Sequence, residues 1–206
     1  MKIVTIIGAR PQFIKAAVVS RAISNFPDVQ EVIVHTGQHF DTNMSDIFFE
    51  EMCIPIPNYN LNINGMTHGA MTGQMLEKIE SILLAEQPDW VIVYGDTNST
   101  LAGALAASKL HIRVAHIEAG LRSYNMNMPE EINRILTDRI SSVLFCPTEQ
   151  AIKNLHQEGF KQFPCTLLNC GDVMQDAALF YVNKAKHPDF LLPEHFILAT
   201  LHRAEN

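Results

Sequence analysis

The sequence predicts an α/β fold, a doubly wound parallel sheet of the Rossmann-like kind. Short apolar runs alternate with longer segments of helical periodicity along most of the chain. Most of those runs are β-branched or apolar throughout, as strands covered by helices on both sides should be. The first run, Ile3-Val4-Thr5-Ile6-Ile7, ends in Gly8 and passes at once into a helical pattern.

The elements follow in order. Strand 3–7 leads to a helix over about 12–24, with Pro11 at its start, where no amide bond is lost. Strand 31–35 precedes helices at 43–52 and 67–86. Strand 90–94 feeds helix 98–109, whose Ala-rich stretch 102–107 allows close packing. Strands 113–117 and 143–146 flank a helix at 130–141. Thr148-Glu149-Gln150 after Pro147 reads as a capped start for helix 148–158. Strand 166–169 and a helix over 172–185 complete the run. Lys186-His187-Pro188-Asp189 and Pro193-Glu194 then read as a linker, and Phe196–Leu201 as a fresh strand. The division is therefore one Rossmann-like domain over 1–186, with 187–206 as linker and first strand of a second domain cut short.

Composition limits the function. The 206 residues are 47% apolar, enough for a sizeable core. A net charge of −7 and the lack of a basic face argue against nucleic acid, though not against one small anion. The longest apolar runs are too short for a membrane span, and the N-terminus lacks a signal-peptide pattern. Cys53, Cys146, Cys165 and Cys170 form no metal-spaced pair and read as free thiols of a reducing, cytoplasmic setting. His35 and His39 straddle a strand end rather than share a helix face, so no metal site is expected.

The chemistry concentrates where strands end. Exposed amides and a helix dipole after Gly8 suit an anion, with Arg10 to fork onto a phosphate and Lys15 as a mobile charge. Open parallel sheets bind ligands outside the carboxyl ends of their strands. Three acidic segments fall there: Gly95-Asp96-Thr97-Asn98, His116-Ile117-Glu118-Ala119-Gly120 and Pro129-Glu130-Glu131-Ile132-Asn133-Arg134. Asp96 also suits a helix cap, and Glu130 and Glu131 a helix dipole; Glu118 has no evident capping role. Cations that hold a diphosphate, beside carboxylates that face a sugar, suit loss of a nucleoside diphosphate from an anomeric carbon. Crowded carboxylates would share a proton and so supply an acid and a base. The glycine turn lacks the further glycines of a dinucleotide site, so nicotinamide chemistry is not expected.

At these residues the chain resembles the non-hydrolysing UDP-N-acetylglucosamine 2-epimerase family. The motifs are GARPQFIK at 8–15, HTGQHFD at 35–41, YGDTNST at 94–100, HIEAGLR at 116–122, PEEINR at 129–134, FCPTE at 145–149 and LHRAEN at 201–206. The resemblance implies the N-terminal half of a GT-B architecture and inversion at C2 of a UDP-sugar, without a cofactor, by elimination and re-addition of UDP. It implies Asp96, Glu118, Glu130 and His202 as catalytic residues, and Arg10, Lys15, Gln38 and His39 as substrate-binding residues. Asp41 departs from the Gln or Glu of members with an allosteric UDP-sugar site, which argues against that regulation. The resemblance also implies a homodimer, and nucleotide binding largely by the second domain, so the 206-residue piece alone should turn over little. Plain UDP-N-acetylglucosamine is placed slightly ahead of UDP-2,3-diacetamido-2,3-dideoxyglucuronic acid. The latter's carboxylate would need a cation, with Arg122 or Arg134 as candidates. A GT-B glycosyltransferase and a non-catalytic nucleotide-sugar sensor are the rival readings; three acids count against both.

Overall fold

The computed structural model describes residues 1–38, 55–185 and 187–199. Seven strands form one parallel sheet: β1 Lys2–Ile7, β2 Gln30–His35, β3 Tyr59–Asn60, β4 Trp90–Tyr94, β5 Arg113–Ile117, β6 Val143–Cys146 and β7 Thr166–Asn169. Their spatial order is 3-2-1-4-5-6-7, so the sheet winds outward in both directions from the β1/β4 pair. That reversal opens a crevice at the carboxyl ends of β1 and β4, the usual ligand position in such sheets.

The helices are α1 Arg10–Ile23, α2 His68–Glu86, α3 Asn98–Lys109, α4 Pro129–Ile140, α5 Glu149–Gln157 and α6 Val173–Tyr181. Alternate strand residues separate two cores. Val4, Ile6, Val91 and Val93 pack with α2 and α3. Ile3, Ile7, Ile92 and Tyr94 pack with Phe13, Ala16 and Ala17 of α1. Every β1 residue after Lys2 is buried, which is why the run carries no polar alternation. The small side chains Ala102, Gly103, Ala106 and Ala107 let α3 lie close on the sheet; a Cβ at Gly103 would stand 3.0 Å from Ile6 Cγ1.

The six expected sheet strands and the helices among the described residues are present, with small shifts. α1 begins two residues before the expected start, since Pro11 occupies its first turn. The two-residue β3 carries no readable alternation and was not expected. The helix expected over 172–185 ends at Tyr181 and continues as a 3-10 turn, Val182–Lys184. Residues 196–199 are not a strand: they pair with no strand among the described residues, and Ile197 and Leu198 are exposed. A strand needs a neighbouring ladder to bond its amides, and apolar sequence alone does not supply one. The helix expected at 43–52, and residues 200–201 of the expected strand, lie outside the described residues. Met71 and Met75 of α2 belong to the core rather than to an outer face.

Candidate functional site

The β1/β4 crevice is built around Gln12. Its Oε1 accepts from the amides of Gly8 (2.8 Å) and Ala9 (3.0 Å). Its Nε2 donates to the Tyr94 carbonyl and to Thr100 Oγ1, both at 2.9 Å. One buried amide thus ties the glycine turn after β1 to the end of β4. It also corrects an expectation: the Gly8 and Ala9 amides are already satisfied inside the protein and do not wait for a phosphate. Pro11 has no amide hydrogen, and the Gln12 amide turns back to the Ala9 carbonyl at 2.9 Å. Arg10 itself stands exposed on the rim of the crevice.

Lys15 is almost wholly buried and pairs with Glu118, which explains the acid that had no capping role. Two expected site residues therefore face each other, and Lys15 is not a mobile surface charge. Glu118 has φ +68°, an uncommon backbone for a residue with a Cβ. Such strain costs roughly 1–3 kcal/mol and persists only where the surroundings over-determine it, most often at functional sites. Beside the pair lies Gly95, at φ +60°; a Cβ there would sit 3.1 Å from Glu118 Oε2 and 3.3 Å from Lys15 Nζ.

The next residue, Asp96, pairs with Arg134, which also reaches Glu131 at 3.2 Å. The helix cap expected of Asp96 is supplied by Thr97, whose Oγ1 accepts from the Thr100 amide at 3.3 Å. Asp96 and Glu118 each meet a cation. Asp96, Glu130 and Arg134 line a cavity of 250 Å³ with Pro11, Gln38 and His68. Glu118 lies outside this lining, on the edge of a larger cavity of 330 Å³ between α1, the sheet and α6. That larger space is walled by Ile3, Val19, Ile23, Ile92 and Phe145, and it offers a diphosphate little to bind. The smaller cavity is the more polar of the two. Gln38 faces it with Oε1 held by the Ser99 amide (3.1 Å) and hydroxyl (2.8 Å).

α4 holds the acidic segments in place through a buried polar face. Glu131, fully buried, accepts from the amides of Ser123 and Tyr124 at 2.8–3.1 Å. Burial pushes its carboxyl up; those amides and Arg134 outweigh that and leave it below its ordinary value. Asn133 Nδ2 donates to the Asp96 carbonyl at 2.9 Å. Asp138, also fully buried, bonds His116 Nδ1 at 2.7 Å, Arg122 Nη1 at 2.8 Å and the Gly120 amide at 3.2 Å. His116 Nε2 in turn donates to the Gly95 carbonyl at 2.7 Å. Arg122, forked onto Glu158 at 2.6 and 2.8 Å, is enclosed and structural, so it is withdrawn as a candidate for a substrate carboxylate. His39, His202 and Asp41 lie outside the described residues. Among the described residues no cluster could hold a metal ion, and no helix is long and apolar enough to cross a membrane. The sequence reading passed over Gln12, Asn98, Asn133 and Asp138 inside or beside its motifs. His68 carried no signal there beyond a helix start.

A parallel sheet that reverses at β1/β4, with acids and cations gathered at that crevice, defines a Rossmann-like domain of nucleotide-sugar enzymes, the N-terminal half of a GT-B architecture. The chain belongs to the UDP-N-acetylglucosamine 2-epimerase family, whose sequence profile matches residues 21–206. It is 66% identical, over its whole length, to 58% of the Pseudomonas aeruginosa UDP-2,3-diacetamido-2,3-dideoxy-D-glucuronate 2-epimerase. It is 49% identical, again over its whole length, to 58% of the UDP-N-acetylglucosamine 2-epimerase of Methanocaldococcus jannaschii. A crystal structure of the M. jannaschii enzyme with UDP-GlcNAc and UDP superposes with a TM-score of 0.86 at 51% identity, covering 92% of this chain and 51% of that one. The Neisseria meningitidis enzyme bound to UDP-GlcNAc gives 0.83 at 34% identity, covering 89% and 49%. The chain thus spans a little over half the length of the curated relatives it matches.

Proposed function

We propose that this domain is the N-terminal part of a 2-epimerase acting on UDP-2,3-diacetamido-2,3-dideoxyglucuronic acid. The observation that carries the substrate is the 66% identity to the P. aeruginosa enzyme so named, against 49% to the M. jannaschii UDP-N-acetylglucosamine enzyme. This reverses the order of the two substrates expected from sequence. Plain UDP-N-acetylglucosamine is the second reading, favoured by the M. jannaschii structure that holds it. The two-domain division at residue 186, a homodimer and a cytoplasmic location belong to the same proposal.

The reaction needs no redox cofactor. A base takes the C2 proton, and the C1–O bond breaks with its electron pair leaving on UDP. A glycal results; UDP then adds back as a proton arrives on the opposite face of C2. Asp96 and Glu130 share the polar cavity and are assigned the proton transfers there, with His202 assigned from the family likeness. Arg134 pairs with Asp96, as Lys15 does with Glu118. Arg10, exposed on the rim, is assigned to the diphosphate.

The test is NMR of the full-length enzyme with each UDP-sugar in heavy water. The expected result is a C2 epimer carrying solvent deuterium, faster from the diacetamido uronate. Asp96→Asn should lower the rate by orders of magnitude. Transfer seen only with an added acceptor, or no epimer at all, would overturn the reading.

A further inference from the structure

We propose that His68 reads the sugar, donating its Nε2 hydrogen to an oxygen on a substituent that UDP-N-acetylglucosamine lacks. This rests on the epimerase reading above and extends it to substrate choice. The oxygen belongs to the C3 acetamido carbonyl or to the sugar carboxylate; both are acceptors.

A chain of hydrogen bonds of fixed direction starts at Asp96. Its backbone carbonyl can only accept, so the Asn133 side-chain atom 2.9 Å away is the amide nitrogen. That same nitrogen lies 3.3 Å from the Asn98 side chain and therefore faces its oxygen. The other Asn98 atom is then the NH2 group, which also points to Met71 Sδ at 3.7 Å. It stands 3.1 Å from His68 Nδ1. An amide NH2 cannot accept, so Nδ1 offers its lone pair and the ring carries its hydrogen on Nε2. Asn98 and Asn133 are 5% and 6% exposed, so the frame that fixes this tautomer is buried.

His68 is itself exposed and lines the polar cavity beside Asp96, Glu130 and Arg134. Two of the arginines are already committed. Arg134 is held between Asp96 and Glu131, and Arg122 between Asp138 and Glu158. A further sugar oxygen entering this cavity needs a donor that is not matched to an acid. His68 Nε2 is one, oriented from behind by Asn98, in a network that also grips the Asp96 backbone. Substrate choice and placement of the acid thus share one set of buried amides.

The experiment uses the full-length enzyme with three compounds: UDP-N-acetylglucosamine, UDP-2,3-diacetamido-2,3-dideoxyglucose and UDP-2,3-diacetamido-2,3-dideoxyglucuronic acid. His68→Phe keeps a ring and removes the donor; His68→Gln keeps an N–H. The Phe variant should lose about 10- to 100-fold in kcat/KM on the diacetamido uronate, mostly through KM, and at least ten times more than it loses on UDP-N-acetylglucosamine. The Gln variant should recover most of the loss. A matching loss on the diacetamido glucose assigns the acetamido carbonyl; a loss confined to the uronate assigns the carboxylate. Equal losses on all three, no loss, or wild-type turnover of UDP-N-acetylglucosamine alone would overturn the inference while the epimerase reading stands. Wild-type enzyme inert on all three would overturn both.

Discussion

Replacing Asp138 by Asn tests the network that holds the acidic loop in place. The Asp138 side chain is fully enclosed and receives three donors: His116 Nδ1, Arg122 Nη1 and the Gly120 amide. Asparagine has nearly the same shape but one acceptor oxygen and no charge. At least one buried donor is then left facing an NH2 group, which costs about 1–3 kcal/mol. Arg122 keeps Glu158, whose side chain is 25% exposed, and the Leu121 carbonyl at 2.7 Å, but loses its enclosed ionic partner. Removing one member of a buried ion pair costs roughly 3–5 kcal/mol. The two figures describe overlapping losses, so the expected destabilisation is about 3–5 kcal/mol, a large share of the ~5–15 kcal/mol typical of a domain. At roughly 2–4 °C per kcal/mol for a chain of this size, Tm should fall by about 6–20 °C. Thermal unfolding followed by circular dichroism, with urea titration for the free energy, reads it directly. A loss below about 1 kcal/mol would refute the idea that this buried carboxylate fastens the 118–122 loop to α4.

Two further outcomes follow from the same geometry. A Cβ at Gly8 would collide with the hydroxyls of Thr36 and Ser99, which bond each other at 2.8 Å and are fully buried; Gly8→Ala should cost about 1–3 kcal/mol, and a urea midpoint equal to wild type would contradict it. Glu131 is held below its ordinary value, so its contribution to stability is complete above about pH 4.5 and fades as pH falls from there; the gap in urea midpoint between wild type and Glu131→Gln should narrow in acid, and a widening gap would count against it.

Much of the architecture is legible in local pattern. Strand runs such as Val91–Tyr94 are apolar because both sheet faces are covered, and that need is written residue by residue. Residues 196–199 mark where such reading stops: an apolar run says what a segment would bury, and a partner strand decides whether it pairs. The acids were legible as types at strand ends. Their partners were not, because Lys15 and Glu118 meet across 103 positions of sequence, and Asp96 and Arg134 across 38.

By itself, then, the sequence determined the parallel α/β sheet, the order of its main elements and the acidic segments at its carboxyl edge. Periodicity and turn chemistry are local, and they act before the chain is folded. Only the tertiary structure decided that the glycine turn is satisfied by Gln12, that Arg122 is buried in a structural network, and that Asn133 and Asn98 link the Asp96 carbonyl to His68. Those outcomes depend on which donors and acceptors distant segments bring together, and a buried polar group takes the partner that packing delivers.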